Sequence, residues 1–243
     1  MGNTSILAMV PARIGSTRLK AKNLAMLDGK PLIFYAIDAA KEANIFNRVV
    51  LNGDSEIFAE IAERYGIEFY LRPKYLGGSD VKSDQVVEDF IDKNPCDVVA
   101  WVNPIAPLQT GAQIREIVEY FHKEEFDTVH TVRSEQVHGN LGEQSINYNP
   151  TILFERTQDL RPISLFAYSL MIWRTSVFKA DLNSKGHAFF CGKVGYYDVG
   201  KLAGLLVKDK QDLYLIDSIM RQQSTVNLDA FNVEYEEALE NIS

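Results

Sequence analysis

The sequence is poor in cysteine and in long apolar runs. Of its 243 residues only Cys96 and Cys191 are cysteines, too few for a disulfide framework or for the spacing of a zinc site. No run approaches the roughly 18 apolar residues of a membrane span, and the apolar segment at 6–10 is too short for the core of a signal peptide. These absences predict a cytoplasmic protein without disulfides that does not bind membranes.

Positive charge is also scarce. The chain has 25 lysines and arginines against 33 aspartates and glutamates, which gives a formal net charge of −8. This balance argues against nucleic-acid binding, because the non-specific part of that affinity depends on clustered cations. One local cluster stands out: residues 9–23 contain Arg13, Arg18, Lys20 and Lys22 and no acid. A polyanionic ligand would have to bind there.

The basic segment follows an apolar stretch that is typical of a buried strand. Loops at the carboxyl ends of strands are where open α/β sheets bind ligands, and backbone N–H groups beside arginine and lysine can bind phosphates. The segment contains neither the G-x-G-x-x-G fingerprint nor the G-x-x-x-x-G-K-[ST] phosphate loop. It is therefore either a phosphate site of another kind or a solvated basic surface loop.

Up to residue 132, apolar strands alternate with amphipathic helices. Strands separated by helices of this length predict an α/β fold with a doubly wound, mostly parallel sheet. The almost wholly apolar stretch at 97–102 is typical of a strand in the middle of such a sheet. Strands are predicted at 6–10, 48–52, 67–71, 97–102 and 128–132, and helices at 31–43, 56–65, 83–93 and 111–123.

The pattern changes at about residues 134–168, where polar residues dominate and helix signals are weak. The stretches 146–148 and 152–154 flank Asn149-Pro150, which predicts a hairpin. This insertion is a lid, a dimer arm or a long surface excursion. We therefore expect a single domain over residues 1–243 with an inserted arm. Further strands are predicted at 170–173, 194–199 and 204–207, and a terminal helix at 234–240.

Five motifs resemble, in order and spacing, those of the acylneuraminate cytidylyltransferases and, more distantly, of the cytidylyltransferases for eight-carbon acidic sugars. The family's opening motif is similar to A-R-x-x-S-K/T-x-x-x-x-K-N. The resemblance spans about residues 5–220. The opening motif matches at Ala12, Arg13, Ser16, Thr17, Lys22 and Asn23, and the other matches are L-R-P at 71–73 with Ser83, N-P-I-A-P-L-Q-T at 103–110, R-x-Q-D-L at 156–160 and I-D-S at 216–218.

The resemblance implies a nucleotidyltransferase (Rossmann-like) sheet with a small dimerisation arm, and transfer of CMP from CTP to the anomeric hydroxyl of an acidic 2-keto sugar, with release of pyrophosphate. Arg13 and Lys22 would hold the triphosphate, with Lys22 close to the α-phosphate, because such chemistry needs charge neutralisation and alignment. Ser83 could alternatively be a helix N-cap. The implied nucleotide contacts are Ala12, Arg13, Gly15, Ser16, Lys22, Asn23, Arg72 and Ser83.

The implied sugar contacts depart from the family pattern. Gln109 stands where the family has an arginine, and the loss of a bidentate cation is not conservative. The arm motif R-x-N-G-A-I-Y falls on residues 165–171 without its polar contacts. Phe189 and Phe190 either pack against an N-acyl group or belong to the core. These departures predict an acidic sugar other than ordinary N-acetylneuraminate. The implied contacts are Asn103, Gln109, Arg156, Gln158, Phe189 and Phe190.

The resemblance also implies a magnesium ion, held by hard oxygen ligands and substrate phosphates. In a gapless alignment the first carboxylate of the family's D-x-D falls on Leu215, which leaves Asp217 as the predicted ligand. About eight residues are inserted between Val199 and Asp217. Asp217 could alternatively cap a helix. Asp54 and Asp212 are secondary candidates.

The sequence thus predicts a magnesium-assisted cytidylyltransferase of cell-surface polysaccharide biosynthesis that forms a homodimer through residues near 145–168. Two alternatives remain open. One is a sugar nucleotidyltransferase of the same architecture that uses another nucleoside triphosphate. The other is a non-catalytic nucleotide- or sugar-binding relative.

Overall fold

The computed structural model describes residues 4–16, 18–78 and 80–222. The seven strands of their main sheet are β1 (Ile6–Ala12), β2 (Arg48–Gly53), β3 (Glu68–Leu71), β4 (Val98–Val102), β5 (Thr128–Glu135), β6 (Ile163–Arg174) and β7 (Val194–Asp198). They lie in the order β7-β5-β6-β4-β1-β2-β3. All neighbouring pairs are parallel except those of β6, which runs antiparallel to β4 and β5.

Helices cover both faces of the sheet, which confirms the doubly wound, mostly parallel prediction. The helices are α1 (Leu32–Ala43), α2 (Ile57–Tyr65), α3 (Ser83–Lys93), α4 (Gly111–Lys123), α5 (Thr175–Lys185), α6 (Gly200–Ala203) and α7 (Lys210–Gln222). One face packs on α1, α2 and α4, and the other packs on α3 and α5. The almost completely buried β1 and β4 lie side by side in the middle, as expected for strands covered on both faces.

The local signals explain where several helices end. Gly66 follows α2 with φ of 61°, a left-handed conformation that glycine adopts without steric cost, and its N–H bonds the carbonyls of Ala62 and Glu63. Thr110 caps α4 by accepting the Gln113 N–H. Ser83 is the first residue of α3 rather than its N-cap, which is Lys82. The N-cap interpretation of Ser83 is therefore wrong.

Three other sequence predictions are wrong or incomplete. The hairpin of the inserted segment pairs Asn140–Leu141 with Gln144–Ser145, so it precedes the predicted strands at 146–148 and 152–154. Residues 204–207 form no strand, although Val207 is buried. Helix α5 was not predicted. The predicted terminal helix at 234–240 lies outside the described residues. No helix in the described ranges has the length and apolarity needed to cross a membrane.

Candidate active site

A cavity of about 280 Å³ opens at the carboxyl ends of β1, β3 and β4. This is the edge at which open α/β sheets bind ligands. The loop after β1, the start of α3 and the turn after β4 form its walls. The cavity brings together eight of the predicted residues: Ala12, Arg13, Ser16, Lys22, Asn23, Arg72, Ser83 and Asn103.

The basic loop after β1 is fixed by hydrogen bonds to its own residues and to neighbouring loops. Arg13 donates from Nη1 to the Gly78 carbonyl at 3.4 Å, and the Ile14 N–H donates to Oδ1 of Asp54 at 3.0 Å. The buried Asn23 donates from Nδ2 to the Arg13 carbonyl at 3.4 Å. Gly15 is exposed and does not line the cavity, and Thr17 lies outside the described residues. Asn23 therefore contributes to the shape of the loop as well as to the cavity wall.

Lys22 is the centre of positive charge in the cavity. Its pKa is lowered by burial and, to a smaller extent, by Arg18 and Arg13, whereas Asp212 and Asp209 oppose this shift. Three mutually repelling cations that are close enough to lower a pKa make a favourable site for a polyanion, because bound negative charge relieves their repulsion. This end of the cavity can hold phosphates.

The cavity also presents buried hydrogen-bond donors. Arg72 is only 4% exposed and donates from Nη1 to the Asn52 carbonyl at 2.8 Å. Its Nε has no hydrogen-bond partner among the described residues, and neither has Nε1 of Trp101, which lines the same cavity. Both atoms can only donate. Because an unpaired buried donor is costly, a ligand that fits here supplies acceptors, as the edge of a nucleobase does.

Two carboxylates approach the cationic end from the start of α7. The Val207 N–H bonds the carbonyl of the cavity residue Ile105 at 2.8 Å, which anchors the chain just before α7. Asp209 then accepts the Asp212 N–H at 3.1 Å, while Oδ2 of Asp212 accepts the Lys208 N–H at 2.8 Å. Both carboxylates act on the pKa of Lys22. Sequence reasoning ranked Asp212 low and missed Asp209.

Asp217, the predicted metal ligand, is placed elsewhere. It lies inside α7, so the helix-cap interpretation is wrong. Oδ1 accepts the Asp28 N–H at 3.0 Å, Oδ2 pairs with Arg221 at 2.8 Å, and these bonds hold the pKa of Asp217 below its ordinary value. It does not line the cavity. Asp209 lies eight residues before it, which matches the insertion of about eight residues inferred between Val199 and Asp217.

Residues 7–178 match the family model described as cytidylyltransferase. The chain belongs to the cytidylyltransferase family. It is 26% identical to an N-acylneuraminate cytidylyltransferase of Escherichia coli over 94% of this chain and 55% of the relative. It is 40% identical to the pseudaminic acid cytidylyltransferase of Campylobacter jejuni over 47% of this chain and 52% of the relative. The chain thus spans about half the length of these relatives.

Solved structures show the same fold. A CMP:2-keto-3-deoxy-manno-octonic acid synthetase complexed with CTP superposes with a TM-score of 0.66 at 14% identity, covering 90% of this chain and 100% of that one. A cytidylyltransferase from Leptospira borgpetersenii gives a TM-score of 0.57 at 14% identity, covering 99% of this chain and 95% of the other. The nucleotidyltransferase fold inferred from the sequence is confirmed.

The sugar contacts implied for this cytidylyltransferase are not all brought to the cavity. Asn103 lines it and donates from Nδ2 to the Tyr168 carbonyl at 3.0 Å. Gln109 is 5% exposed and donates to Oγ of Ser169 at 3.0 Å, so its amide is used inside the protein. Arg156 pairs with Asp159, and Gln158 lies beside it in the inserted segment, away from the cavity walls.

The two predicted aromatic residues have different environments. The carbonyl of the half-buried Phe189 accepts Nε2–H of His130 at 2.9 Å and Nε1–H of Trp173 at 3.0 Å. Its ring stacks on His130, with centroids 4.6 Å apart. Phe190, in contrast, is 51% exposed. Phe189 therefore has a structural role, whereas the ring of Phe190 is open to a ligand.

Proposed function

We propose that this cytidylyltransferase transfers CMP from CTP to the anomeric hydroxyl of an acidic 2-keto sugar and releases pyrophosphate. The observation that carries the proposal is the cavity itself, which combines mutually repelling cations with unpartnered buried donors. The names of the relatives support an acidic sugar, since they include an N-acylneuraminate, pseudaminic acid and N,N'-diacetyllegionaminic acid.

Different cavity residues bind the triphosphate and the cytidine of CTP. Arg13 and Lys22 bind the triphosphate, with Ser16 and Asn23 shaping the loop around it, and Arg72 and Ser83 bind the cytidine. The anomeric hydroxyl attacks the α-phosphorus and gives up its proton to water, a P–O bond to the sugar forms, and the bond to the departing pyrophosphate breaks. The Lys22 ammonium stabilises the negative charge that develops at the α-phosphate, because fixed charge in a partly desolvated site acts without reorganisation.

A magnesium ion fits the carboxylates that adjoin the cationic end. Asp209 and Asp212 supply hard oxygen ligands of the kind that magnesium prefers, and substrate phosphates would complete its coordination. We assign the ion to Asp209, with Asp212 beside it, rather than to Asp217. When bound, the ion would neutralise charge on the triphosphate and on the departing pyrophosphate. The capping bonds of Asp209 and Asp212 hold these carboxylates in place.

The experiment is pyrophosphate release by the purified chain with magnesium, CTP and a panel of acidic 2-keto sugars, together with thermal-shift assays of CTP, UTP, GTP and ATP. We expect stabilisation by CTP and turnover with at least one sugar. A larger shift with another nucleotide would favour a different sugar nucleotidyltransferase. Binding of CTP without turnover of any sugar would favour a non-catalytic relative, and neither binding nor turnover would reject the proposal.

The inserted segment supports a homodimer. It exposes large apolar side chains, among them Leu153 at 93% and Phe154 at 67%, and contiguous exposed apolar groups mark interaction surfaces. Light scattering of the chain should give the mass of two copies, and Leu153→Asp should shift it toward one. A monomer at micromolar concentration would reject the dimer while leaving the chemistry to be tested separately.

A further inference from the structure

The peptide unit between Arg13 and Ile14 is held from both sides. Its N–H belongs to Ile14 and donates to Oδ1 of Asp54 at 3.0 Å. Its carbonyl belongs to Arg13 and accepts a hydrogen bond from Nδ2 of Asn23 at 3.4 Å. Asn23 directly follows Lys22 in the chain. Asp54 and Asn23 therefore fix the backbone from which Arg13 extends and tie it to the neighbour of Lys22.

Asp54 also packs against a second segment of the cavity wall, the 3-10 helix Lys74–Gly77. A Cβ on Gly77 would lie 2.5 Å from Oδ2 of Asp54, so this close approach depends on glycine. The next residue, Gly78, lines the cavity, and its carbonyl accepts Nη1–H of Arg13 at 3.4 Å. Asp54 thus holds the basic loop and the 3-10 helix together, although it is half-buried behind the residues that line the cavity.

The charge of Asp54 has the wrong sign for a direct part in phosphate binding. Burial lowers the pKa of the cavity residue Arg72, and Asp54 opposes this shift, so the carboxylate lies within electrostatic range of a cavity cation. A negative charge at this place weakens the binding of a polyanion by electrostatics alone. What the carboxylate can contribute to the site is the geometry that its two oxygens impose.

We propose that Asp54 is a positioning residue for CMP transfer. It holds the basic loop in the conformation in which Arg13 and Lys22 meet the triphosphate, and it does not bind the magnesium ion. Oδ1 is bonded to the backbone of the loop and Oδ2 faces Gly77, so both oxygens are directed to protein and not to the cavity. A misplacement of catalytic groups by about 1 Å can cost about 100-fold in rate. This inference rests on the proposed function.

Two substitutions of Asp54 separate positioning from charge and from metal binding. Asp54→Ala removes both contacts, whereas Asp54→Asn keeps an oxygen that can accept the Ile14 N–H. For Asp54→Ala we expect about ten-fold weaker CTP binding by calorimetry and a kcat at least about ten-fold lower. Asp54→Asn should bring both constants to within about three-fold of the parent, and its magnesium concentration for half-maximal rate should stay within about two-fold.

Gly77→Ala tests the same contact and keeps the charge. Its methyl group would displace Oδ2 of Asp54, so CTP binding should weaken about three-fold or more. When it is added to Asp54→Ala, the further change should be less than about two-fold, because the two residues act through one contact.

Asp97→Ala is the matched control. Oδ2 of Asp97 accepts the Ser5 N–H at 2.8 Å, so this carboxylate holds the backbone before β1 as Asp54 holds the backbone after it. The contact lies at the opposite edge of the sheet, before β1 and β4. Asp97→Ala should lower the urea midpoint of unfolding about as much as Asp54→Ala does, and it should leave CTP affinity, kcat and magnesium dependence unchanged.

The outcomes distinguish this inference from the proposed function. A parent protein that neither binds CTP nor releases pyrophosphate would reject the proposed function. If the parent binds CTP but turns over no sugar, the CTP affinities of the variants still test the role of Asp54. Equal or tighter CTP binding by Asp54→Ala would overturn the inference, because the carboxylate would then act only as a charge.

Two other results would also overturn the inference. A magnesium requirement about ten-fold higher in Asp54→Asn would make Asp54 a metal ligand. An equal loss of CTP affinity in Asp97→Ala would show that the loss follows from stability and not from the loop. If Asp54→Ala does not fold, Gly77→Ala decides the question, since a folded Gly77→Ala with the parent's CTP affinity would exclude the positioning role.

Discussion

Acidification should destabilise the protein through one buried imidazole. The side chain of His130 is completely buried and touches the rings of Phe166, Trp173, Phe189 and Phe190. Its Nε2 lies 2.9 Å from the Phe189 carbonyl, which can only accept, so Nε2 carries the proton of the neutral ring. Burial disfavours a second proton and lowers the pKa of His130 from 6.5 to about 4.

The size of the effect follows from linkage. In the unfolded chain this imidazole binds a proton as the pH falls through 6.5, whereas in the folded protein it stays neutral until about pH 4. Its contribution is therefore complete above pH 6.5 and is lost on acidification, since the unfolded state then binds more protons. The free energy of unfolding should fall by about 2 kcal/mol between pH 7.5 and pH 5 and by about 3 kcal/mol at pH 4.

Urea unfolding at pH 7.5, 5 and 4 measures this loss in the parent and in His130→Phe. Phenylalanine keeps a ring among the aromatic neighbours and cannot take a proton, whereas the carboxylates and His122 titrate equally in both proteins. The parent should therefore lose about 3 kcal/mol more than the variant by pH 4. His187→Ala removes an exposed histidine and should behave like the parent. Parallel curves for the parent and His130→Phe would refute the reasoning.

Three further predictions concern the cavity. Lys22→Ala should lower kcat by about 100-fold or more with little loss of stability; an unchanged kcat in a pyrophosphate-release assay would remove Lys22 from the mechanism. Arg72→Lys keeps the charge but loses the planar fork, so calorimetry should show CTP binding about ten-fold weaker, and equal affinity would contradict the base contact. Asp209→Asn preserves a helix cap but removes the charge, so it should raise the magnesium concentration for half-maximal rate about ten-fold. Asp217→Asn should change this concentration less than about two-fold. A larger effect of Asp217→Asn than of Asp209→Asn would restore Asp217 as the ligand.

The helices of the first half could be predicted because their signals are local. Helices α3 and α4 have the predicted bounds, and α1 and α2 each begin one residue later than predicted. Helix α5 escaped prediction because only Thr175 and Phe178 are buried in it, which leaves almost no apolar periodicity. The apolar run at 204–207 gave the opposite error, because it predicted a strand where none forms. Val207 packs with Leu27, Leu32 and Ile216 in a small cluster, so its apolar character reflects burial without strand pairing.

The residues of the proposed nucleotide site could also be predicted from the sequence. Its residues follow β1, β3 and β4, and the carboxyl ends of parallel strands meet at one edge of the sheet. The carboxylates beside Lys22 were not, because α7 is reached through a segment without regular structure. A local I-D-S match selected Asp217, whereas Asp212 and Asp209 are the acids that act on the pKa of Lys22. A short motif in a segment without other matches thus identifies a residue type and not its position.

The predicted sugar-binding residues could be interpreted only in part from the sequence. The sequence shows Gln109 where the family motif has an arginine, but only the structure shows which hydrogen bonds Gln109 makes. Gln109 donates to Ser169, which donates to Thr131, and all three are buried. A cation at position 109 would face this closed network, where an unpaired charge is costly. The same strand that supplies Ser169 presents Phe166 and Tyr168 to the outside. The chain thus has an uncharged, internally bonded core where the motif that it resembles has a cation, and exposed rings where that motif has polar groups.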